Sequence, residues 1–191
     1  MTTGDIANIF FRAGRFNSTE LTWYCAAARF QTVGIPQGAT INVGTKMTLT
    51  CRLAISTTPV DTLLYGENVD DAAVFSDLAN YKGRAATSAT VDWDAIPAWT
   101  LDTEYDTPEI KTIIQEIVNR AGWVSGNDLV IFWDGKATAD YYRPAYSYDG
   151  STTKAPKLHI EYTAGGNGVE VPKNIWNENR RSKFHPVLSL N

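Results

Sequence analysis

Histidine, cysteine and methionine are almost missing from this chain, with two of each in 191 residues. Two cysteines and two histidines in dissimilar contexts cannot supply the ligand set of a structural zinc site. Nor is there a G-x-S-x-G elbow, or a serine or cysteine evidently partnered with a histidine, so nucleophilic catalysis finds little support. His159 stands between Leu158 and Ile160 in a strand-like run, facing away from both, and reads as a structural or surface histidine. No stretch approaches the roughly 20 apolar residues of a membrane-spanning helix, so no membrane span is expected. The opening Thr2-Thr3-Gly4-Asp5 is polar, unlike the apolar centre of an export signal. A basic surplus is also lacking: 17 Lys and Arg stand against 21 Asp and Glu, which argues against nucleic acid as the main partner.

What is present is a β-rich pattern punctuated by turns. Leu21 to Phe30 is aromatic and apolar, and Gly34-Ile35-Pro36-Gln37-Gly38 reads as a turn. From Ala39 the chain alternates, with Ile41, Val43, Met47, Leu49, Cys51, Leu53 and Ile55 on one side and polar residues on the other. That period of two predicts one long strand with one face in a core. Thr62–Tyr65, Thr90–Trp93, Leu129–Trp133, Arg143–Tyr148 and Lys157–Tyr162 read as further strands. Cys25 and Cys51 are either two buried thiols or a disulfide between neighbouring strands.

One helix interrupts the strands. Thr107 suits a cap, Pro108 the first turn and Glu109 the positive helix end. Ile110, Ile113, Ile114, Ile117 and Val118 follow at the spacing of a buried stripe, and Gly122 marks the end. The expected fold is therefore mainly β: a sandwich over residues 1–163 with one amphipathic helix, followed by an extended C-terminal arm over 164–191.

Three ordered blocks carry a family resemblance. The first is Arg29-Phe30-Gln31-Thr32-Val33-Gly34-Ile35-Pro36-Gln37-Gly38-Ala39-Thr40-Ile41. The second runs from Trp99 through Thr107-Pro108-Glu109-Ile110 to Glu116-Ile117-Val118-Asn119-Arg120 and Gly122-Trp123-Val124-Ser125-Gly126-Asn127. The third is Ser147-Tyr148-Asp149 with Ala155-Pro156-Lys157-Leu158-His159-Ile160-Glu161-Tyr162. Together they span about residues 20–163, and the chain resembles DNRLRE-type β-sandwich modules there. The resemblance implies a jelly-roll sandwich similar to carbohydrate-binding modules, of a kind found in cell-surface, secreted and phage-related proteins.

Candidate sites follow from the chemistry of the side chains. Asp92 and Asp94 flank Trp93, and Asp102, Glu104 and Asp106 follow at alternate positions, a spacing that could gather carboxylates for glycoside hydrolysis. Acids in loops are more often solvated, and no enzyme is expected. The one cofactor considered is Ca2+, which takes carboxylate and carbonyl oxygens from loops; Asp70, Asp71, Asn127, Asp128 and Asp149 are the candidates. Trp93, Trp99, Trp123 and Trp133 could form a sugar platform or a core, and Tyr141, Tyr142, Tyr146 and Tyr148 are further platform candidates. Tyr141 and Tyr142 beside Arg143 are the most promising exposed glycan-binding cluster.

The arm differs from the body. Residues up to Ala164 hold 13 basic and 19 acidic side chains, a net of −6, whereas the rest holds 4 and 2, a net of +2. Gly165-Gly166-Asn167-Gly168 reads as a hinge rather than a phosphate loop. Beyond it, Ile175, Trp176, Phe184, Val187 and Leu188 are apolar anchors around Arg180 and Arg181. Such anchors predict an arm that docks in apolar grooves of a neighbouring copy or another structural subunit, its arginines pairing with acidic rims. The expected function is a non-catalytic structural protein of a virion, such as a phage head-decoration or tail component, or a surface filament subunit. The alternative is a carbohydrate-binding module. The corresponding location is a virion or an extracellular surface.

Overall fold

Alternating apolar positions build two antiparallel sheets packed face to face, and the computed structural model describes residues 4–5, 9–16, 23–136, 141–164 and 187–190. In chain order the strands are β1 (Gly4–Asp5), β2 (Phe10–Arg15), β3 (Trp23–Phe30), β4 (Thr40–Ile41), β5 (Lys46–Thr50) and β6 (Val60–Glu67). Helix α1 (Leu78–Lys82) precedes β7 (Ala86–Ile96) and β8 (Glu104–Asp106), and α2 (Lys111–Val118) precedes β9 (Leu129–Gly135). The remaining strands are β10 (Tyr142–Tyr146), β11 (Lys157–His159), β12 (Tyr162–Thr163) and β13 (Val187–Leu190). The fold is mainly β and sandwich-like, as the sequence predicts, with two helices rather than one among the described residues.

The first sheet runs β1-β13-β3-β9-β6-β7. The second is assembled from β11-β5-β8, to which the β2–β10 pair joins through the Cys51–Ala145 bridge and the Arg52 amide donating to the Pro144 carbonyl at 2.9 Å. Strand β2 passes between the sheets, because Gly14 and Arg15 also pair with Tyr24 and Trp23 of β3. The crossing needs glycine on both sides: Gly14 has φ +128°, and a Cβ on Gly135 would lie 2.4 Å from the Gly14 carbonyl oxygen.

Between the sheets lies the main core. Ala26, Ala28 and Phe30 of β3, Leu129, Ile131 and Trp133 of β9, and Leu64 of β6 face Phe11 and Ala13 of β2, Met47 and Leu49 of β5, and Leu158 of β11. Trp133 stacks on Phe11 and Trp93 at 5.6 Å each, and its Nε1 donates to the Thr62 hydroxyl at 2.8 Å. Trp99 and Trp123 are buried too, so the tryptophan candidates for a sugar platform are core residues, with Trp93 packed against them.

The first sheet is buried on its other face as well. There Cys25 and Ala27, with Val130 and Phe132, pack under a segment that leaves β6 at Asn68 and rejoins β7 at Ala86, carrying Ala72, Phe75 and Tyr81. Burial on both faces explains why Tyr24–Ala28 and Leu129–Trp133 are continuous apolar runs without alternation. The two cysteines sit in different clusters and both are free thiols, which removes the disulfide alternative.

Two expectations are corrected. The long strand from Ala39 to Ile55 is broken: Gly44 (φ +97°) turns the chain, Thr45 Oγ1 donates to the Asn42 carbonyl at 3.0 Å, and Val43 faces water at 68% exposure. Leu53 and Ile55 are also exposed, beyond the end of β5. Its partner is broken at the matching place, into β11 against β5 and β12 against β4, because the Glu161 amide donates to Thr45 Oγ1 at 3.1 Å. Helix α2 starts at Lys111 rather than at Pro108. The Thr107 hydroxyl is taken up by the second sheet, accepting from the Met47 amide at 3.0 Å, and Ile110 stands at the helix start without a side-chain cap. The buried stripe is as expected, and it lands on Gly66 of β6, where a Cβ would lie 2.8 Å from Ile117.

Candidate functional site

Period-two alternation on the second sheet decides which side chains reach its outer face. With Phe11 and Ala13 pointing into the core, Phe10 and Arg12 of β2 point out; with Ala145 inside, Tyr142 and Tyr146 of β10 point out beside them. The β2–β10 register sets Tyr142 opposite Gly14 and Tyr146 opposite Phe10.

These side chains form a row in which cations and rings alternate. The Arg12 guanidinium lies 3.9 Å from the Tyr24 ring centroid, 5.4 Å from Phe10 and 5.6 Å from Tyr142. On the other side of Phe10 stands Arg52, 4.8 Å from that ring and 5.0 Å from Tyr146. Lys154 closes the row 5.0 Å from Tyr146, and Asp102 accepts from both Lys154 Nζ at 2.7 Å and the Tyr146 hydroxyl at 3.0 Å. The Lys154 ammonium and the Tyr146 hydroxyl hold the Asp102 carboxyl below the usual carboxylate range. At the opposite end Phe16 is exposed and stacks 6.5 Å from Tyr142. Each ring–cation contact contributes about 0.5–1 kcal/mol where it is open to water.

The rest of that outer face is neutralised by ion pairs. Lys46 meets Asp106 at 2.5 Å and Lys157 meets Glu104 at 2.7 Å. On the first sheet Lys136 bridges Asp92 at 2.5 Å and Asp94 at 2.7 Å. The five acids that could have formed a hydrolytic pair are thus each engaged by a lysine. His159 Nε2 lies 2.7 Å from Glu161 Oε1, which gives that histidine a structural partner.

Asp70, Asp71, Asn127 and Asp128 do come together, where the 68–85 segment meets the start of β9. Their oxygens are engaged by the protein. Arg120 Nε donates to Asp70 Oδ1 at 2.6 Å, the Asp128 amide to Asp71 Oδ1 at 2.8 Å, and the Thr32 amide to Asp128 Oδ1 at 2.7 Å, while Arg29 pairs with Asp128. Two guanidinium groups therefore supply the positive charge at this junction. Asp149 is elsewhere, in the turn after β10. Among the described residues no group of three or more His, Cys, Asp or Glu could hold a metal ion.

Of the proposed glycan cluster, Tyr141 is exposed and Tyr142 belongs to the row, but Arg143 is buried. Its guanidinium donates to the carbonyls of Pro97, Thr58 and Ile96 at 2.8, 2.6 and 3.0 Å, so it clamps loops between the sheets and is not presented to a ligand. The side chains that stand in its place are Arg12 and Arg52, of which the alternation from Ala39 places Arg52 on the polar side without marking it as a ligand residue. Phe10–Arg15 (FFRAGR) has too few apolar residues to announce a strand, and only pairing with β10 makes it one.

A second polar cluster lies under the 68–85 segment. Tyr65 and Tyr81 donate their hydroxyls to Asp134 at 2.7 and 3.1 Å, and Asp134 lies opposite Cys25 in the β3–β9 ladder. Burial pushes the Asp134 carboxyl up, against the opposing hydrogen bonds, and pushes the Cys25 thiol well above its ordinary value. A thiol held protonated in this way is not a nucleophile; the cluster fastens the segment to the sheet.

Ile175, Trp176, Arg180, Arg181 and Phe184 lie outside the described residues, as does the Gly165–Gly168 hinge. Val187 and Leu188 lie in β13, whose backbone pairs antiparallel with β3 of the same chain, Leu188 opposite Cys25 and Leu190 opposite Trp23. No helix among the described residues is long and apolar enough to cross a membrane. No protein-family model, curated protein or solved structure matches this chain.

Proposed function

We propose that this chain is a non-catalytic structural protein that assembles through its C-terminal segment, as a virion component of the phage head-decoration or tail kind or as a surface filament subunit. The observation that carries the reading is β13. Without β13 and β1, β3 is the edge strand of the first sheet, and an open edge is a template for a strand from another chain. Residues 165–186 separate β13 from the sandwich, so a second copy can supply the same four residues to the same edge in the same register. Exchange of an identical element between copies is a low-cost route to assembly. The opposite net charges of body and arm support the same reading.

The native cysteine provides the test. Directly opposite residues in an antiparallel ladder have Cα atoms about 4.5–5.5 Å apart, within the span of a disulfide. Leu188→Cys oxidised in the full chain is expected to give interchain dimers with Cys25, and light scattering is expected to show oligomers that a chain ending at Ala164 does not form. Crosslinks confined to single chains, together with equal masses for the two forms, would sink the assembly reading.

A second reading, a carbohydrate-binding module, is favoured by the row of rings and cations on the second sheet.

A further inference from the structure

Most cations of the described sandwich are engaged by an acid: Arg29, Lys46, Arg84, Arg120, Lys136, Lys154 and Lys157 each lie within ion-pair distance of a carboxylate. Arg12 and Arg52 are the exception that shares one place. Among the described residues neither makes a hydrogen bond or an ion pair with any carboxylate, and the Nε of each is shielded from water with no partner there. Each guanidinium lies over rings, the two of them sharing Phe10 at 5.4 and 4.8 Å, and both side chains are half-buried rather than enclosed. In a body with a net charge of −6, two neighbouring arginines with no counter-charge among the described residues are a specific local feature.

The geometry points to this row as a binding site for an acidic polysaccharide, a sugar polymer bearing carboxylate or sulfate groups. A guanidinium presents a planar fork that matches such an anion, and stacking on a ring fixes the plane of the fork before any ligand arrives. The row supplies this arrangement twice, at Arg12 and Arg52. A repeated anion along a polymer suits a repeated cation along a strand. At the end of the row Phe16 is 43% exposed and stacks against the half-buried Tyr142, and an exposed ring is the surface on which the apolar face of a sugar packs. An acidic peptide would use the charges but would have no need of these flanking rings. The inference rests on the carbohydrate-binding reading for its ligand class, and on the two arginines for the charge.

Isothermal titration calorimetry on the full chain tests it with four polymers: polygalacturonate for carboxylates, dextran sulfate for sulfates, dextran as the neutral sugar, and poly-L-glutamate as the acidic peptide. At least one acidic polysaccharide is expected to bind, more weakly as salt rises, and to outcompete both dextran and poly-L-glutamate. Arg12→Gln and Arg52→Gln are each expected to weaken that binding about tenfold or more, the loss of a charge-assisted hydrogen bond. Lys46→Gln, on the same face but paired with Asp106, is expected to change it by less than about twofold. Arg12→Lys keeps the charge and loses the fork, so it should fall between wild type and Arg12→Gln. If Arg12→Gln shows no cooperative melting transition, Arg52→Gln carries the comparison. Binding to dextran alone overturns the acidic class and leaves the carbohydrate reading standing. Equal binding to poly-L-glutamate, indifference to both arginine substitutions, or no binding to any of the four polymers overturns the site.

Discussion

The two outer faces of the sandwich start from the same rule and end differently. On the first sheet the outward residues of β3 and β9 are Cys25, Ala27, Val130 and Phe132, and the 68–85 segment folds over them. Its polar groups are then matched internally: Asp134 by Tyr65 and Tyr81, and Glu67 by Arg84 at 2.6 Å. On the second sheet the outward residues are lysines, acids, arginines and rings, and among the described residues no second core forms over them. Covering a face with chain requires every buried polar group to find a partner, because an unmatched one is costly. Leaving it uncovered relaxes that demand, and among the described residues it is there that two arginines stand together without a carboxylate. The covered face is built for stability and the bare face is free to be used.

Substitutions should separate the faces by size of effect. The largest is expected at Phe132, which stacks on Tyr65 at 4.8 Å and meets Tyr81 and Phe75 edge-on. Phe132→Ala should lower unfolding stability by about 3–5 kcal/mol in a denaturant titration. Tyr65→Phe comes next, at about 1–3 kcal/mol, because it removes the 2.7 Å donor to a buried carboxyl. On the bare face Phe10→Leu should cost about 1–2 kcal/mol through its two guanidinium contacts. Lys157→Met, which breaks an exposed ion pair, should stay within about 0.5 kcal/mol. A bare-face loss as large as that at Phe132 would erase the distinction.

The response to pH should have opposite signs on the two faces. Burial raises the carboxyls of Asp134 and Glu67 above their ordinary values. The folded state therefore holds more protons than the unfolded one in the window just above pH 3.8 to 4.5, and stability should rise as pH falls through those raised values. Asp102 and Asp106 are held low, Asp102 chiefly by Lys154, and Asp106 by Lys46 and Thr48 against the opposing effect of burial. Their contribution is present above the unfolded value of 3.8 and should be lost as pH falls through the lowered ones. Asp134→Asn is expected to flatten the upper limb of the pH–stability curve, and Asp102→Asn the lower limb, as read by chemical denaturation across the range.

Much of the scaffold was legible in the sequence. The apolar stripe of α2 and the strands around Leu64, Val91, Ile131, Ala145 and Leu158 needed only local periodicity. The break at Val43-Gly44 did not show, because a glycine between two apolar residues leaves the alternation intact. Helix α1 was missed for its five residues, too few to display a period. Of the row on the second sheet the tyrosines Tyr142 and Tyr146 are legible as sugar-platform candidates, whereas the cations between them are not, and Arg143 faces the opposite side of the sheet from Tyr142.

Sequence by itself determined the mainly β fold and the stripe of the amphipathic helix, since periodicity states which side of each element leaves water. Tertiary structure alone decided which face received a second cover, which acids met lysines, and that Arg12 and Arg52 would flank one ring. Those outcomes depend on register between strands far apart in the chain, such as Tyr146 opposite Phe10. Register is a property of two segments at once, and no single stretch of sequence carries it.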